Sequence, residues 1–160
     1  TYLTLNYNQI TDVSALKDLK NLKQIYMINN QITDITPISG LTNLTALSIG
    51  GNLITDITPV SGLTNLTTLD CGSQQIDDIS SISGLTNLTY LSFAYCQVSD
   101  ISALSGLANL TNLQLQGNTI SDISPLKNLK NLEDVMIFQN QISEEQENEL
   151  EALLPNCKIF

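Results

Sequence analysis

The chain has 160 residues, 42% of them hydrophobic, and a net charge of −10 from sixteen acidic side chains against six lysines, with no arginine and no histidine. That hydrophobic content excludes disorder, and the charge excludes nucleic acid, whose phosphates need clustered Lys or Arg. No basic residue lies between Lys23 and Lys127, which disfavours an anionic membrane surface, and no apolar run approaches the roughly 20 residues that span a bilayer.

Leucines recur every 22 residues at Leu19, Leu41, Leu63, Leu85, Leu107 and Leu129, each followed by an Asn-Leu pair such as Asn43-Leu44 or Asn87-Leu88. A fixed period of this size marks a solenoid, whose units bury their apolar faces only against one another. Counting positions from each leucine, the chain opens inside a strand, with Leu3 and Leu5 at inward positions seven and nine. This reading takes the chain as a fragment or processed piece of a longer protein. It also leaves the open first strand free for self-association with a second molecule.

Each unit then repeats the same elements. Alternation at positions six to ten predicts a short strand, and the strands of adjacent units stack in register as a parallel sheet. Position twelve is Asn8, Asn30, Asn52, Asn118 or Asn140, with Gln74 and Cys96 as departures. A buried amide there can bond unpaired backbone groups, so stacked copies predict a ladder. Positions fifteen to twenty predict a short helical turn capped by Ser/Thr or Asp, with Pro37, Pro59 and Pro125 near its start.

Beyond residue 142 the pattern changes. Ser143 with Gln146 three residues on predicts a capping box, opening an amphipathic helix that Pro155 stops. Lys158-Ile159-Phe160 predicts a last strand. The expected division is therefore repeats over 1–142 and a C-terminal cap, helix plus strand, over 143–160.

The pattern resembles the leucine-rich repeats, specifically the 22-residue class shared by bacterial internalins and a eukaryotic phosphatase-regulator family. The resemblance covers about residues 1–142. It implies an α/β solenoid: an arc with a parallel concave sheet, short helical turns on the convex side and a C-terminal helical cap. Cys at the asparagine position, as in Cys96, is a known variant of the family.

The sequence offers little chemistry. Without histidine, Ser-His-Asp and Cys-His arrangements are impossible and ordinary zinc sites are missing. Gly50-Gly51 precedes neither a helix nor a Lys-Ser pair, so no phosphate loop is present. Cys71, Cys96 and Cys157 all fall on interior positions and are expected to be free buried thiols. No enzyme, cofactor or metal site is expected. The recurring Asp12, Asp34, Asp56, Asp78, Asp100 and Asp122 are expected to bond local backbone N–H groups rather than hold calcium, which needs several converging oxygens.

Positions six, eight, ten and eleven face outward from the sheet, where the core does not dictate identity. All five tyrosines fall there, against about one expected by chance. Tyrosine combines large apolar area with a polar tip and few torsions, which suits an interface; its high β propensity is the competing explanation. The expected partner-binding residues are Tyr7, Tyr26, Ile28, Ser48, Asp70, Tyr90, Ser92, Tyr95, Gln114, Met136 and Phe138. The small middle copies should leave a trough with Tyr26 and Ile28 on one side and Tyr90 and Tyr95 on the other. The resemblance implies a non-catalytic recognition module for a protein partner, in adhesion or host contact, outside the cell or on a bacterial surface. An intracellular scaffold of the phosphatase-regulator kind and carbohydrate binding through the tyrosines are the alternatives.

Overall fold

A computed structural model describes all 160 residues. Eight parallel strands form one open sheet in chain order: β1 Tyr2–Thr4, β2 Gln24–Tyr26, β3 Ala46–Ser48, β4 Thr68–Asp70, β5 Tyr90–Ser92, β6 Asn112–Gln114, β7 Asp134–Met136 and β8 Lys158–Ile159. The register follows the repeat, with Leu47 beside Leu69 and Leu69 beside Leu91. Only the last step is longer, pairing Asp134 with Lys158.

Inward positions of every coil merge into one apolar core of 43 buried residues running the length of the stack. Leu47, Leu69 and Leu91 have no exposed surface. Cutting such a side chain to Ala costs about 2–5 kcal/mol, from lost transfer energy and the cavity left behind.

Polar ladders stitch the coils where the core ends. The Asn52 amide donates to the Met27 and Ile49 carbonyls at 2.9 and 2.7 Å, and its Oδ1 accepts from Ile32 N–H at 3.0 Å. Asn30, Asn118 and Asn140 make equivalent bonds. The asparagines of the Asn-Leu pairs form a second, exposed ladder, as when Asn65 Nδ2 donates to Thr42 O at 2.9 Å. Thr67 Oγ1 donating to Thr45 O at 3.0 Å belongs to a third.

On the opposite side each coil makes a three-residue 3-10 turn, as at Thr58–Val60, with proline in its first residues where one occurs. The N-cap residue is apolar, Ile57 for example, and provides no side-chain cap. The aspartate one residue earlier takes that role: Asp56 Oδ1 accepts from Thr58 N–H at 2.8 Å, and all six repeated aspartates do the same. Bonds from the following Thr or Ser hold the Asp34, Asp56, Asp78 and Asp122 carboxyls below the usual carboxylate range.

The closing helix, α1, spans Glu144–Leu153 with the Ser143–Gln146 capping box in place. Leu150 and Leu154 dock it on the core, and Lys127 pairs with Glu149 at 2.7 Å. All three cysteines are free, but only Cys71 and Cys96 are buried. Cys157 is half-exposed, against expectation, because it lies in the final coil, whose outer side no other coil of the structure covers.

Candidate functional site

Register sets the outward rows of the sheet. Position eight runs Tyr26, Ser48, Asp70, Ser92, Gln114 on neighbouring strands. Position ten, just past the strand ends, reads Ile28, Gly50, Gly72, Ala94, Gln116. Its three smallest members are consecutive, so the surface sinks into a trough of about 310 Å³ between Ile28 and Tyr95, walled on the far side by Gln114 and Gln116.

Asp70 stands at the centre of this trough. Its Oδ1 accepts from Gly72 N–H at 3.1 Å, and its other oxygen has no partner within the chain. A Cβ at Gly50 or Gly72 would lie 3.4 or 3.5 Å from that Oδ1, so the two glycines leave the carboxylate uncovered. Neither glycine has positive φ, but a Cβ at Gly50 or Gly72 would lie 3.1 Å from the carbonyl oxygen of Gly72 or Ala94 on the next coil, so glycine also eases the close approach of neighbouring coils here. Next to Asp70, half-burial and the carboxylate's charge both raise the Tyr90 phenol above its ordinary value.

Position eleven is left-handed in every coil: Tyr7, Asn29, Gly51, Ser73, Tyr95, Gly117 and Gln139 have φ between 54 and 70°. Glycine serves such a conformation at no steric cost, whereas a bulky residue there is an outlier that costs about 1 kcal/mol or more. Tyr7 and Tyr95 adopt it nonetheless, 78% and 51% exposed. The Tyr95 ring leans over Gly117, where any Cβ would collide with it. High β propensity does not explain a tyrosine in a left-handed turn.

A second hollow, about 500 Å³, opens at the adjoining rim between Leu53, Gln75 and Tyr95, and shares Ser73 and Tyr95 with the trough. It lies between the Asn52 turn and the Gln74 turn, the first departure of the asparagine ladder. Gln74 keeps the ladder bonds but is one methylene longer, and Gln75 N–H makes no bond to Ile54 O, unlike its counterpart Leu53 N–H to Ile32 O at 2.9 Å. Leu53 is 60% exposed. The sequence reading missed it, although a signal existed: position thirteen is Gln9, Gln31, Gln75, Gln97 and Gln141 elsewhere, with Thr119, and leucine only here.

Of the expected binding residues, Ile28, Asp70, Ser92, Tyr95 and Gln114 line the trough. Two expectations need correction. Tyr26 and Tyr90 do not line it. Tyr90 opens β5 at position six, away from the trough. Tyr26 ends β2 at position eight, in a coil that contributes only Ile28 and Asn29 to the lining. Ser48 and Ser92 face outward yet are buried, 7% and 3% exposed, because longer neighbours such as Asp70 and Tyr90 shade these short side chains. Tyr7 lies in the first coil, and Met136 and Phe138 lie on and just after β7, so the structure does not bring them to the trough.

Repeat length, stacked strands and the asparagine ladder together define a leucine-rich repeat solenoid. The family model described as Leucine Rich repeats (2 copies) matches residues 1–40, 42–87 and 86–128. Two internalins of Listeria monocytogenes have the same architecture. One, inlF, is 39% identical with a TM-score of 0.93, over 99% of this chain and 46% of that one. The other, inlC2, is 36% identical with a TM-score of 0.76, over 99% and 79%. A leucine-rich repeat protein of Leptospira interrogans is 27% identical with a TM-score of 0.92, over 99% of this chain and 42% of that one. Comparison with curated proteins returns no match. The chain thus spans less than half the length of inlF and of the Leptospira protein. It belongs to the leucine-rich repeat family and is an internalin-like domain of it. Leucine-rich repeats are commonly protein-interaction modules. No helix here is long and apolar enough to cross a membrane.

Proposed function

We propose that this domain is a non-catalytic recognition module that binds a protein partner on its concave face, centred on the Asp70 trough and the adjoining rim at Tyr95 and Leu53. The observation that carries the reading is Tyr95, an aromatic side chain kept half-exposed in a left-handed turn that glycine would fill without cost. Tyr26 and Tyr90 add half-buried aromatic surface elsewhere on the same face of the sheet. A site of this kind suits adhesion or host contact outside the cell or on a bacterial surface, in keeping with the likeness to internalins. The intracellular scaffold and the carbohydrate-binding reading stand as alternatives, the latter resting on the same tyrosines.

The test is a partner captured from host-cell extract, compared between the native chain and the double variant Tyr26→Glu, Tyr90→Glu. Charge on the concave face should abolish capture and leave the melting temperature unchanged. Full capture by the double variant rejects the assignment. Binding on a glycan array, lost in the same variant, moves the site to carbohydrate.

A further inference from the structure

We infer that the trough recognises a cationic side chain of the protein partner, arginine in preference to lysine, with Asp70 as its counter-charge. The inference rests on the concave-face reading and names the chemistry of its occupant. Three independent features converge on it.

The first is charge. Asp70 lies in a stretch of more than a hundred residues without a basic side chain, and neither ion pair of the molecule involves it. Asp70 is half-buried in the lining of the hollow, where a counter-charge is screened less than on an open surface. The second is space. Gly50 and Gly72 place no side chain over the carboxylate, where a Cβ would lie 3.4 or 3.5 Å from Oδ1. The third is an unmet acceptor. Gln116, 8% exposed on the wall of the trough, has a buried Oε1 with no hydrogen-bond donor in the chain. Buried acceptors without donors are uncommon in native proteins. The trough therefore offers a carboxylate, to which a turn of the Gln116 amide would add a carbonyl that has no donor inside the chain, and it asks for N–H donors carrying positive charge.

Arginine fits this better than lysine. Its planar guanidinium presents five donors, is more weakly hydrated than an ammonium, and stacks on aromatic rings. Tyr95 stands at the edge of the trough to receive it, a contact worth more where water is excluded.

The experiment uses the 160-residue chain, labelled with nitrogen-15, and three probes: acetyl-Gly-Arg-Gly-amide, its lysine counterpart and its neutral citrulline counterpart. The readout is the amide shifts of Gly50, Gly72 and Ser73, Gly72 N–H being the donor to Asp70. The arginine peptide should move these amides saturably. Lysine should bind more weakly, and citrulline at least tenfold more weakly than arginine. Asp70→Asn keeps an acceptor for Gly72 N–H, so the fold stands, and should reduce arginine binding to the citrulline level. Equal binding of arginine and citrulline, or undiminished arginine binding by Asp70→Asn, overturns the inference. If that happens while the Tyr26, Tyr90 double variant still loses its captured partner, the concave site stands and only its cationic occupant falls.

Discussion

The turn at Asn52 and the turn at Cys96 occupy the same position of the same repeat, yet they close differently. At Asn52 a short amide gathers two carbonyls and one N–H from two adjacent coils at 2.7 to 3.0 Å. At Cys96 the thiol reaches only the Cys71 and Ala94 carbonyls, at 3.4 and 3.8 Å, and Ile76 N–H has no oxygen acceptor. Burial raises the Cys96 thiol above its ordinary value, with the N–H groups of Gln74 and Ile76 only partly offsetting that, so it stays neutral. Gln74 keeps its ladder bonds, so of these turns only the one at Cys96 is loosened; Tyr95 directly precedes it, and the rim hollow opens one turn earlier, between Asn52 and Gln74. The contrast teaches that this solenoid relaxes its own ladder next to Tyr95, the residue on which the proposed binding reading rests, as expected if binding regions come from the less stable end of a structure.

The comparison breaks or sharpens in order of effect. Asn52→Ala leaves the Ile32 N–H buried without a partner, at about 1–3 kcal/mol. It also removes the shorter of the two side-chain bonds at each of the Met27 and Ile49 carbonyls, which keep only the 3.2 Å bonds from Asn30 and Gln74, at about 1 kcal/mol each. Urea unfolding should show a loss of about 3 kcal/mol or more. Cys96→Ala removes only weak sulfur bonds and a small apolar group, so its expected loss is about 1 kcal/mol. Equal losses at the two positions would erase the distinction.

Cys96→Asn should work in the opposite direction. It supplies an acceptor for Ile76 N–H and an amide for the Cys71 carbonyl, a gain of about 1 kcal/mol in the same assay. A loss would mean that the turn is shaped for sulfur and is not a weakened asparagine rung.

Acid acts on both kinds of turn alike, through the aspartates of the opposite side. The folded carboxyls of Asp34, Asp56, Asp78 and Asp122 lie below their ordinary value. Their contribution is therefore present above the unfolded-state pKa of about 3.9 and is lost as pH falls through the lower folded values. Stability against urea should hold from neutrality to about pH 5 and decline below about pH 4. Unchanged stability at pH 3 would show that these bonds contribute nothing, and since all four groups are exposed the decline should be small.

Much of this was legible in the residues. The period of 22 places Leu47, Leu69 and Leu91 in one register, since only a parallel stack buries them all, and Ser143 with Gln146 announces the cap helix. Less legible was what depends on the third dimension. A sequence shows that Ser48 and Ser92 face outward, but not that longer neighbours shade them. It shows tyrosine at Tyr7 and Tyr95, but the left-handed turn emerges only when Gly51 and Gly117 at the same position are taken as the conformational rule. Leu53 was visible as an apolar exception among glutamines, and its meaning depended on the hollow beside it.

The concave site is tested most directly by amide hydrogen exchange on the chain bound to its captured partner. Slowed exchange at Gly50, Gly72, Ser73 and Tyr95, with the turn amides of Thr36, Thr58 and Ser80 unchanged, is the predicted result. Protection confined to those turns or to Glu144–Leu153, with the trough exchanging as in the free chain, would contradict it.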